Sequence, residues 1–196
     1  MPTDLHTFLR SRRSIRRFKK DSIPEVVIDR LLETASYAPS AHNLQPWRFV
    51  VVKDPGSRSD LGAALTRKMR ADMEAAGSSE PDIEARVVRS LDRLERAPLV
   101  IVLCRETTAV KDRTPEEIMM AVQSTALAGL QLLLAAQAEG LGGTWVCWPL
   151  FAPHEASVAL NLPRTWEPQA MFFLGFPDES PIPRERATPE ALTLVR

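Results

Sequence analysis

Cysteine and histidine are scarce in this chain. Its two cysteines, Cys104 and Cys147, each lie inside an apolar run, so no disulfide framework is implied and reduced thiols of a cytosolic protein are expected. The three histidines, His6, His42 and His154, are scattered and lack the spacing of metal ligands. The sequence therefore predicts neither a disulfide-stabilised fold nor a metal centre.

An excess of charge of either sign is also missing, because 25 basic and 25 acidic residues give a formal net charge of zero. General binders of nucleic acid or of membrane surfaces usually carry a broad basic excess, so neither partner is expected. The N-terminus lacks an apolar segment, which predicts no signal peptide. Internal repeats and low-complexity tracts are absent from the sequence. We expect a single cytoplasmic domain over residues 1–196, long enough for a substantial hydrophobic core.

A local concentration of basic residues stands against this neutral background. Residues 12–20 read RRSIRRFKK, with six basic side chains in nine positions. Such charges repel one another unless an anion or an acidic partner lies among them. Arginine presents a planar fork that matches phosphate, and Ser14 adds a hydroxyl. The alternatives are a solvated basic loop and a site for a small phosphate-bearing ligand. Nucleic acid is the weaker choice, because Phe18 is the one aromatic residue in the segment.

A polar loop lies between a predicted helix and a predicted strand. Residues 37–52 read YAPSAHNLQPWRFVVV, and the loop holds Ser40, His42, Asn43 and Gln45 before the strand expected over 48–53. The preceding helix begins near Pro24 and has an apolar face. Loops held between rigid elements often position binding groups. An ordinary connection between helix and strand is the alternative.

Periodicity and turn residues predict the other elements. They are a short opening helix over 4–10, a turn over 54–57, charged surface helices over 59–76 and 81–95, a central strand over 99–104, a long helix over 116–139, a strand over 144–148, a short helix over 153–160 and a strand over 170–176.

The long helix has no charged residue between Ile118 and Ala138. Its length could span a bilayer, but several glutamine, serine and threonine side chains dilute it and basic or aromatic flanks are lacking, so no membrane span is predicted. A helix that is apolar on every side must be buried on every side, which predicts a dimer interface. Gly140, Gly142 and Gly143 are expected to end the helix and let the backbone approach a ligand.

Two motifs together resemble the FMN-dependent nitroreductase family. They are RRSIR at 12–16 and APSAHNLQPWRF at 38–49, joined by one predicted helix. The resemblance implies an α+β fold with a mixed sheet flanked by helices and a long buried central helix. It also implies a tight homodimer that builds each flavin site from both chains. The implied cofactor is FMN, and the implied reductant is NAD(P)H.

The family's use of these motifs implies cofactor-binding residues here. The first motif would hold the phosphate and ribityl side through Arg12, Arg13, Ser14, Ile15 and Arg16. The second would add nearby polar groups from Ser40, Asn43 and Gln45. Backbone beside the flavin ring would come from Gly142, Gly143 and Cys147, and Arg184 in the C-terminal tail would return to the phosphate.

The charged helices correspond to a region that covers the substrate side of the flavin in this family. Lys68 and Arg70 are therefore candidate contacts for an anionic substrate. No side chain is expected to be catalytic itself, because the flavin carries the chemistry. A Ser-His-Asp or Cys-His set with supporting context is missing, so nucleophilic catalysis is not expected.

A narrower resemblance connects several segments, among them KMRADMEAAG, GLGGTW and GFPDESPIPR, to the flavin domain of coenzyme F-420 gamma-glutamyl ligase. It implies an oxidoreductase that reduces a dehydro precursor of this deazaflavin coenzyme. A broad NAD(P)H-dependent nitro or quinone reductase is the second possibility. A non-enzymatic module that binds flavin is the third.

Overall fold

The computed structural model describes residues 4–111 and 114–196. Residues 1–3 and 112–113 of the predicted domain lie outside that description. The helices and strands in chain order are α1 Leu5–Ser11, α2 Glu25–Ser36, β1 Trp47–Val51, α3 Pro55–Ala75, α4 Glu80–Arg96, β2 Leu99–Glu106, α5 Pro115–Ala138, β3 Gly142–Val146, α6 Trp148–Phe151, α7 Pro153–Ala159, β4 Trp166–Gly175 and α8 Pro189–Leu192.

The four strands form one sheet in the order β1-β2-β4-β3, and every neighbouring pair is antiparallel. The central strand β2 is buried along nearly its whole length, in line with its uninterrupted apolar sequence. A single parallel bridge joins Ser14 to Gly143 at the edge strand β3. The predicted α+β fold with flanking helices is confirmed, and its sheet is antiparallel where a mixed one was expected.

Helices cover both faces of the sheet and create two apolar clusters. On one face α2 and α5 pack against Leu103 and Phe172. On the other face α3, α6 and α7 pack against Val102 and Met171. Alternation of side chains along β2 explains this division, because Leu103 and Val102 point to opposite faces. The sheet is therefore enclosed, and its β3 edge is where the basic N-terminal segment attaches.

Helix α5 packs on the sheet and against α2. It is long and apolar enough to cross a membrane by length and composition, but its position in the core accounts for that composition. One chain does not bury the helix on every side, because Met119, Leu127 and Leu130 remain 56%, 42% and 44% exposed. This exposure in a single chain is what the predicted dimer interface requires. A second copy would cover this strip, and the homodimer stays a prediction.

Three predicted boundaries are wrong for local reasons, and β4 begins at Trp166, four residues before its predicted start. Helix α3 begins at Pro55 where a turn was expected, because the Asp54 side chain accepts a hydrogen bond from the Ser57 N–H and caps it. The strand expected over 144–148 lies at Gly142–Val146, and Trp148 begins α6. Gly140, with φ of 74°, follows the end of α5, whereas Gly142 and Gly143 lie inside β3.

Candidate functional site

The basic segment is fixed to the edge of the sheet. The Ile15 N–H donates to the Gly143 carbonyl at 3.0 Å, and the Ile15 side chain is only 7% exposed. A Cβ at position 142 would approach Ile15 Cγ1 at 2.5 Å, so glycine lets the two backbones meet. Ile15 therefore docks the segment, and its N–H is not available to a ligand. Ile15 fills the space that a side chain at position 142 would occupy, while Gly142 and Gly143 both line the cavity described below.

An acidic partner for the basic segment comes from the same chain. The Glu179 carboxylate accepts hydrogen bonds from the backbone N–H groups of Arg16 and Arg17 and from Arg17 Nε, the last at 3.2 Å. Burial alone would raise the pKa of Glu179, but these bonds and the Arg17 charge outweigh it and lower that pKa. Arg17 is thus paired. Among the described residues, Arg12 and Arg16 have no carboxylate in ion-pair contact.

A cavity of about 400 Å³ lies beside this segment and is lined by Arg12, Arg13, Gln137 and Glu179 among others. Arg13 Nη1 donates to the carbonyls of Arg10 and Arg12 at 2.6 and 2.8 Å. Within the described chain, the buried Arg13 Nε and Gln137 Oε1 have no hydrogen-bond partner. Unsatisfied buried polar atoms are unfavourable, by about 1–3 kcal/mol each. A phosphorylated, hydroxyl-rich ligand would supply the missing partners, so the residues present fit the phosphate and ribityl part of FMN.

The second motif forms a strained loop that bonds to itself. Ser40 Oγ accepts from the Gln45 N–H at 3.1 Å, and Gln45 Nε2 donates to Asn43 Oδ1 at 3.0 Å. The φ values of His42, Asn43 and Gln45 are 50°, 54° and 47°. This left-handed backbone conformation is energetically unfavourable for residues other than glycine. The Ala41 N–H donates to Ser124 Oγ on α5. The loop is therefore pre-formed and fixed to α5.

The structure does not bring the two motifs together within one chain. The loop is attached to α5 at Ser124, whereas the N-terminal segment is attached at Gln137, whose Nε2 donates to Phe8 O and to Ser11 Oγ. These two positions on α5 are separated by about 20 Å, at a rise of 1.5 Å per residue. A single chain therefore presents the predicted phosphate anchor and the predicted polar loop at different places along the helix.

A larger cavity of about 720 Å³ opens between α3, α4 and the connection from β3 to α6. Its apolar wall includes Met69, Trp148 and Phe173, and the exposed thiol of Cys147 lies among them. Trp148 is fixed because its Nε1 donates to the Leu65 carbonyl at 3.2 Å. Cys147 therefore lies in the wall of this cavity. Its contact with the flavin ring stays a prediction, as does that of Gly142 and Gly143.

The remaining basic candidates have different surroundings. Lys68 lines the large cavity but pairs with Asp72, one turn further along α3. Arg70 lies outside that lining; it pairs with Glu84 and is 3.6 Å from Glu80, which ties α3 to α4. Arg70 therefore has a structural partner and is not placed to contact a substrate there. Arg184 is exposed and, among the described residues, has no hydrogen bond or ion pair, so its return to the phosphate stays a prediction.

Sequence reasoning missed three arginines that line the large cavity. Arg86, Arg89 and Arg93 lie on α4 and face the same space as Cys147. Their spacing of three and four residues is a signal for one helix face, but a solvated surface helix gives the same pattern.

Comparison with known proteins defines the class of protein. The Nitroreductase family model matches residues 9–176. The chain is 37% identical over 176 residues to a 5,6-dimethylbenzimidazole synthase of Rhodospirillum rubrum, covering 88% of this chain and 82% of that protein. It is 33% identical over 204 residues to an NADH dehydrogenase of Thermus thermophilus, covering 98% and 96%.

The fold agrees with that of a solved structure. The NADPH:FMN oxidoreductase of Vibrio harveyi, determined in complex with NAD⁺, superposes with a TM-score of 0.78 at 19% identity and covers 97% of this chain and 76% of its own. The chain belongs to the nitroreductase family and is an oxidoreductase of that family.

Proposed function

We propose that this chain is an FMN-dependent oxidoreductase that uses NAD(P)H to reduce a small-molecule acceptor. Membership of the nitroreductase family carries the proposal. It favours an enzyme over the non-enzymatic flavin-binding module that the sequence left open. The hydride chemistry comes from bound FMN, while the side chains bind, orient and exclude water.

The residues around the two cavities support this assignment. Arg12 and Arg16 have no carboxylate partner among the described residues and would bind the phosphate and neighbouring polar atoms of the cofactor. Arg13 Nε and Gln137 Oε1 would gain the hydrogen-bond partners that they lack. The apolar wall with Trp148 and Phe173 would cover a flat ring system and keep water away from it. These groups provide an anchor in the smaller cavity and an apolar surface in the larger one.

A second copy of the chain would complete each site. The loop that holds Ser40, Asn43 and Gln45 lies about 20 Å along α5 from the anchor of its own chain. The exposed strip of Met119, Leu127 and Leu130 lies on the same helix. Such a contiguous apolar surface is unfavourable in water and is expected to be buried against a partner. Pairing of two α5 helices would bury that strip and would bring the loop of one chain toward the anchor of the other. A shared site is the proposal that accounts for both observations.

Formation of 5,6-dimethylbenzimidazole is a second candidate function. It is supported by the 37% identity to the Rhodospirillum rubrum enzyme and by a further synthase, from Rhodobacter capsulatus, at 34% identity. The narrower sequence resemblance supports a third, the reduction of a deazaflavin precursor. Both candidates share the FMN site and differ from a broad reductase in their product.

One set of reactions separates these functions. The purified protein is reconstituted with FMN, freed of unbound flavin and mixed with NADPH and either a nitroaromatic, a quinone or a dehydro deazaflavin precursor. We expect flavin absorbance on the protein and acceptor-dependent oxidation of NADPH. Chromatography of the same mixtures detects 5,6-dimethylbenzimidazole, whose formation without acceptor turnover would favour the synthase. Protein that retains no flavin after reconstitution would contradict the proposal.

A further inference from the structure

Three arginines form a row along one face of α4. Arg86, Arg89 and Arg93 all line the large cavity, and they recur every three or four residues, so successive side chains lie one above another. Over seven residues the row extends for about 10 Å. The same cavity is lined by Cys147 and by apolar side chains, among them Met69, Trp148 and Phe173. Charged and apolar groups therefore border one space.

The row lacks the counter-charges that neighbouring basic residues possess. Arg96 on the same helix pairs with Asp92 at 2.6 Å, and Arg70 pairs with Glu84. Among residues 4–111 and 114–196, none of the row's three guanidinium groups has an ion pair or a hydrogen bond. Asp72, the acidic residue in the cavity lining, is paired with Lys68. Like charges at this spacing destabilise a helix unless an anion offsets them.

One arginine of the row, Arg93, is also close to the positive charge of the proposed cofactor anchor. Burial, and then the charges of Arg16, Arg89 and Arg86, lower the pKa of Arg93, whereas Glu179 acts on it in the opposite direction. Arg16 is thus close enough to repel Arg93. The positive charges of the α4 row and of Arg16 therefore add to one another near Arg93. A cavity lined by one sign of charge concentrates ligands of the opposite sign.

We propose that the Arg86, Arg89 and Arg93 row binds an anionic group, a phosphate or a carboxylate, of the substrate that is oxidised or reduced over the flavin. The inference rests on the proposed function and names the substrate class of the same site. Planar guanidinium groups bind both anions through paired hydrogen bonds. The 2′-phosphate of NADPH and an acidic acceptor share this chemistry. The reacting part of the same molecule would lie against the apolar wall near Trp148.

Matched substrates separate the two sources of the anion. For the acceptor, 4-nitrobenzoate is compared with neutral 4-nitrobenzamide; for the donor, NADPH is compared with NADH. In each pair the ratio of kcat/KM values is measured for the parent, for Arg89→Ala and for Arg86→Ala. Arg96→Ala is the control, because it removes an arginine of the same helix whose charge is already paired.

We expect one of the two ratios to fall roughly tenfold or more in the row variants, the loss of one charge-assisted contact. A fall in the acceptor ratio assigns the anion to the acceptor, and a fall in the donor ratio assigns it to NADPH. Both ratios should match the parent in Arg96→Ala. Two unchanged ratios in the row variants would overturn the inference.

Binding measurements test the anion site even if the proposed enzymatic function fails. If the parent turns over no acceptor, calorimetric titration of the FMN-loaded protein with 4-nitrobenzoate and with NADPH still reports whether Arg89→Ala weakens binding of either anion. Unchanged binding of both would overturn the inference. FMN affinity is measured by fluorescence for the same variants. A loss in Arg89→Ala as large as that in Arg12→Ala would assign the row to the cofactor and would also overturn it.

Discussion

The Glu179 carboxylate contacts Arg17 twice: Oε1 accepts from its backbone N–H at 3.1 Å, and Oε2 accepts from its guanidinium Nε at 3.2 Å. The contact joins the segment after β4 to the N-terminal basic segment. It orders the backbone that carries Arg16, so a residue remote in sequence supports the cofactor anchor.

Protonation of Glu179 should loosen this anchor. Its pKa is lowered in the folded protein, so its contribution to stability is present above the ordinary glutamate pKa of about 4.3 and is lost as the pH falls through the lower folded value. Glu179→Gln should lower the free energy of unfolding by about 1 kcal/mol at pH 7 and by less in acid. Urea unfolding at pH 7 and at acidic pH measures this difference. Glu185→Gln, in the exposed tail, is the control, and an equal effect at both pH values would contradict the assignment.

Removing an unpaired arginine of the anchor should weaken the cofactor complex. Arg12 lines the smaller cavity and, among the described residues, has no carboxylate partner. Arg12→Ala should raise the dissociation constant of FMN roughly tenfold or more, since a charge-assisted hydrogen bond contributes about 1.5–3 kcal/mol. Fluorescence titration of the apoprotein with FMN gives the constant. Arg10→Ala removes a neighbouring basic side chain of α1 outside that cavity, and equal losses in both variants would indicate a general charge effect.

A charged residue on the exposed strip of α5 should weaken both dimer assembly and flavin binding. Leu130 is 44% exposed, and Leu130→Glu would place a carboxylate in the expected interface, where an unpaired charge is strongly unfavourable. Val158→Glu, at a 67% exposed position on α7 across the sheet, is the matched control. Light scattering with absorbance detection gives mass and bound flavin at once. A parent protein with a measured mass near 21.9 kDa, the mass of one chain, and with flavin bound would rule out the shared site.

A methyl group at position 129 should destabilise the core. A Cβ there would overlap Trp145 Cζ3 and lie 2.9 Å from Phe172 Cζ. These two rings pack edge to face with centroids 5.0 Å apart. Gly129→Ala should lower the free energy of unfolding by about 1–3 kcal/mol, as overpacking does. Gly56→Ala, in the first turn of α3, meets only the Asp54 side chain and should cost less. Chemical denaturation compares the two variants, and an equal or smaller loss in Gly129→Ala would show that the rings can move aside.

Local pattern predicted most of the fold. Three elements could be predicted because their burial shows in the pattern of apolar residues along the chain. They are α2 with its apolar periodicity, α5 with its charge-free run and β2 with its unbroken apolar run. The start of α3 was missed because one capping hydrogen bond at Asp54 decides it. Local pattern therefore identifies elements better than it identifies their ends.

The arrangement of the site depends on packing, which sequence spacing does not contain. One helix joins the two motifs along the chain, yet the points at which α5 holds the loop and the N-terminal segment, Ser124 and Gln137, lie about 20 Å apart. Arg70 and Arg89 look alike on charged surface helices, and packing alone decides that Arg89 faces the cavity while Arg70 pairs with Glu84. The Glu179 contact joins segments at opposite ends of the chain.

The two thiols differ sharply in accessibility. Burial raises the pKa of the Cys104 thiol to about 12, whereas Cys147 is exposed in the large cavity. A thiol reagent should therefore modify one site per chain in the native protein, because the thiolate is the reactive form. A ligand in the large cavity should protect Cys147 from alkylation. Mass spectrometry after brief alkylation would therefore measure occupancy of the cavity in the native protein, without any engineered label.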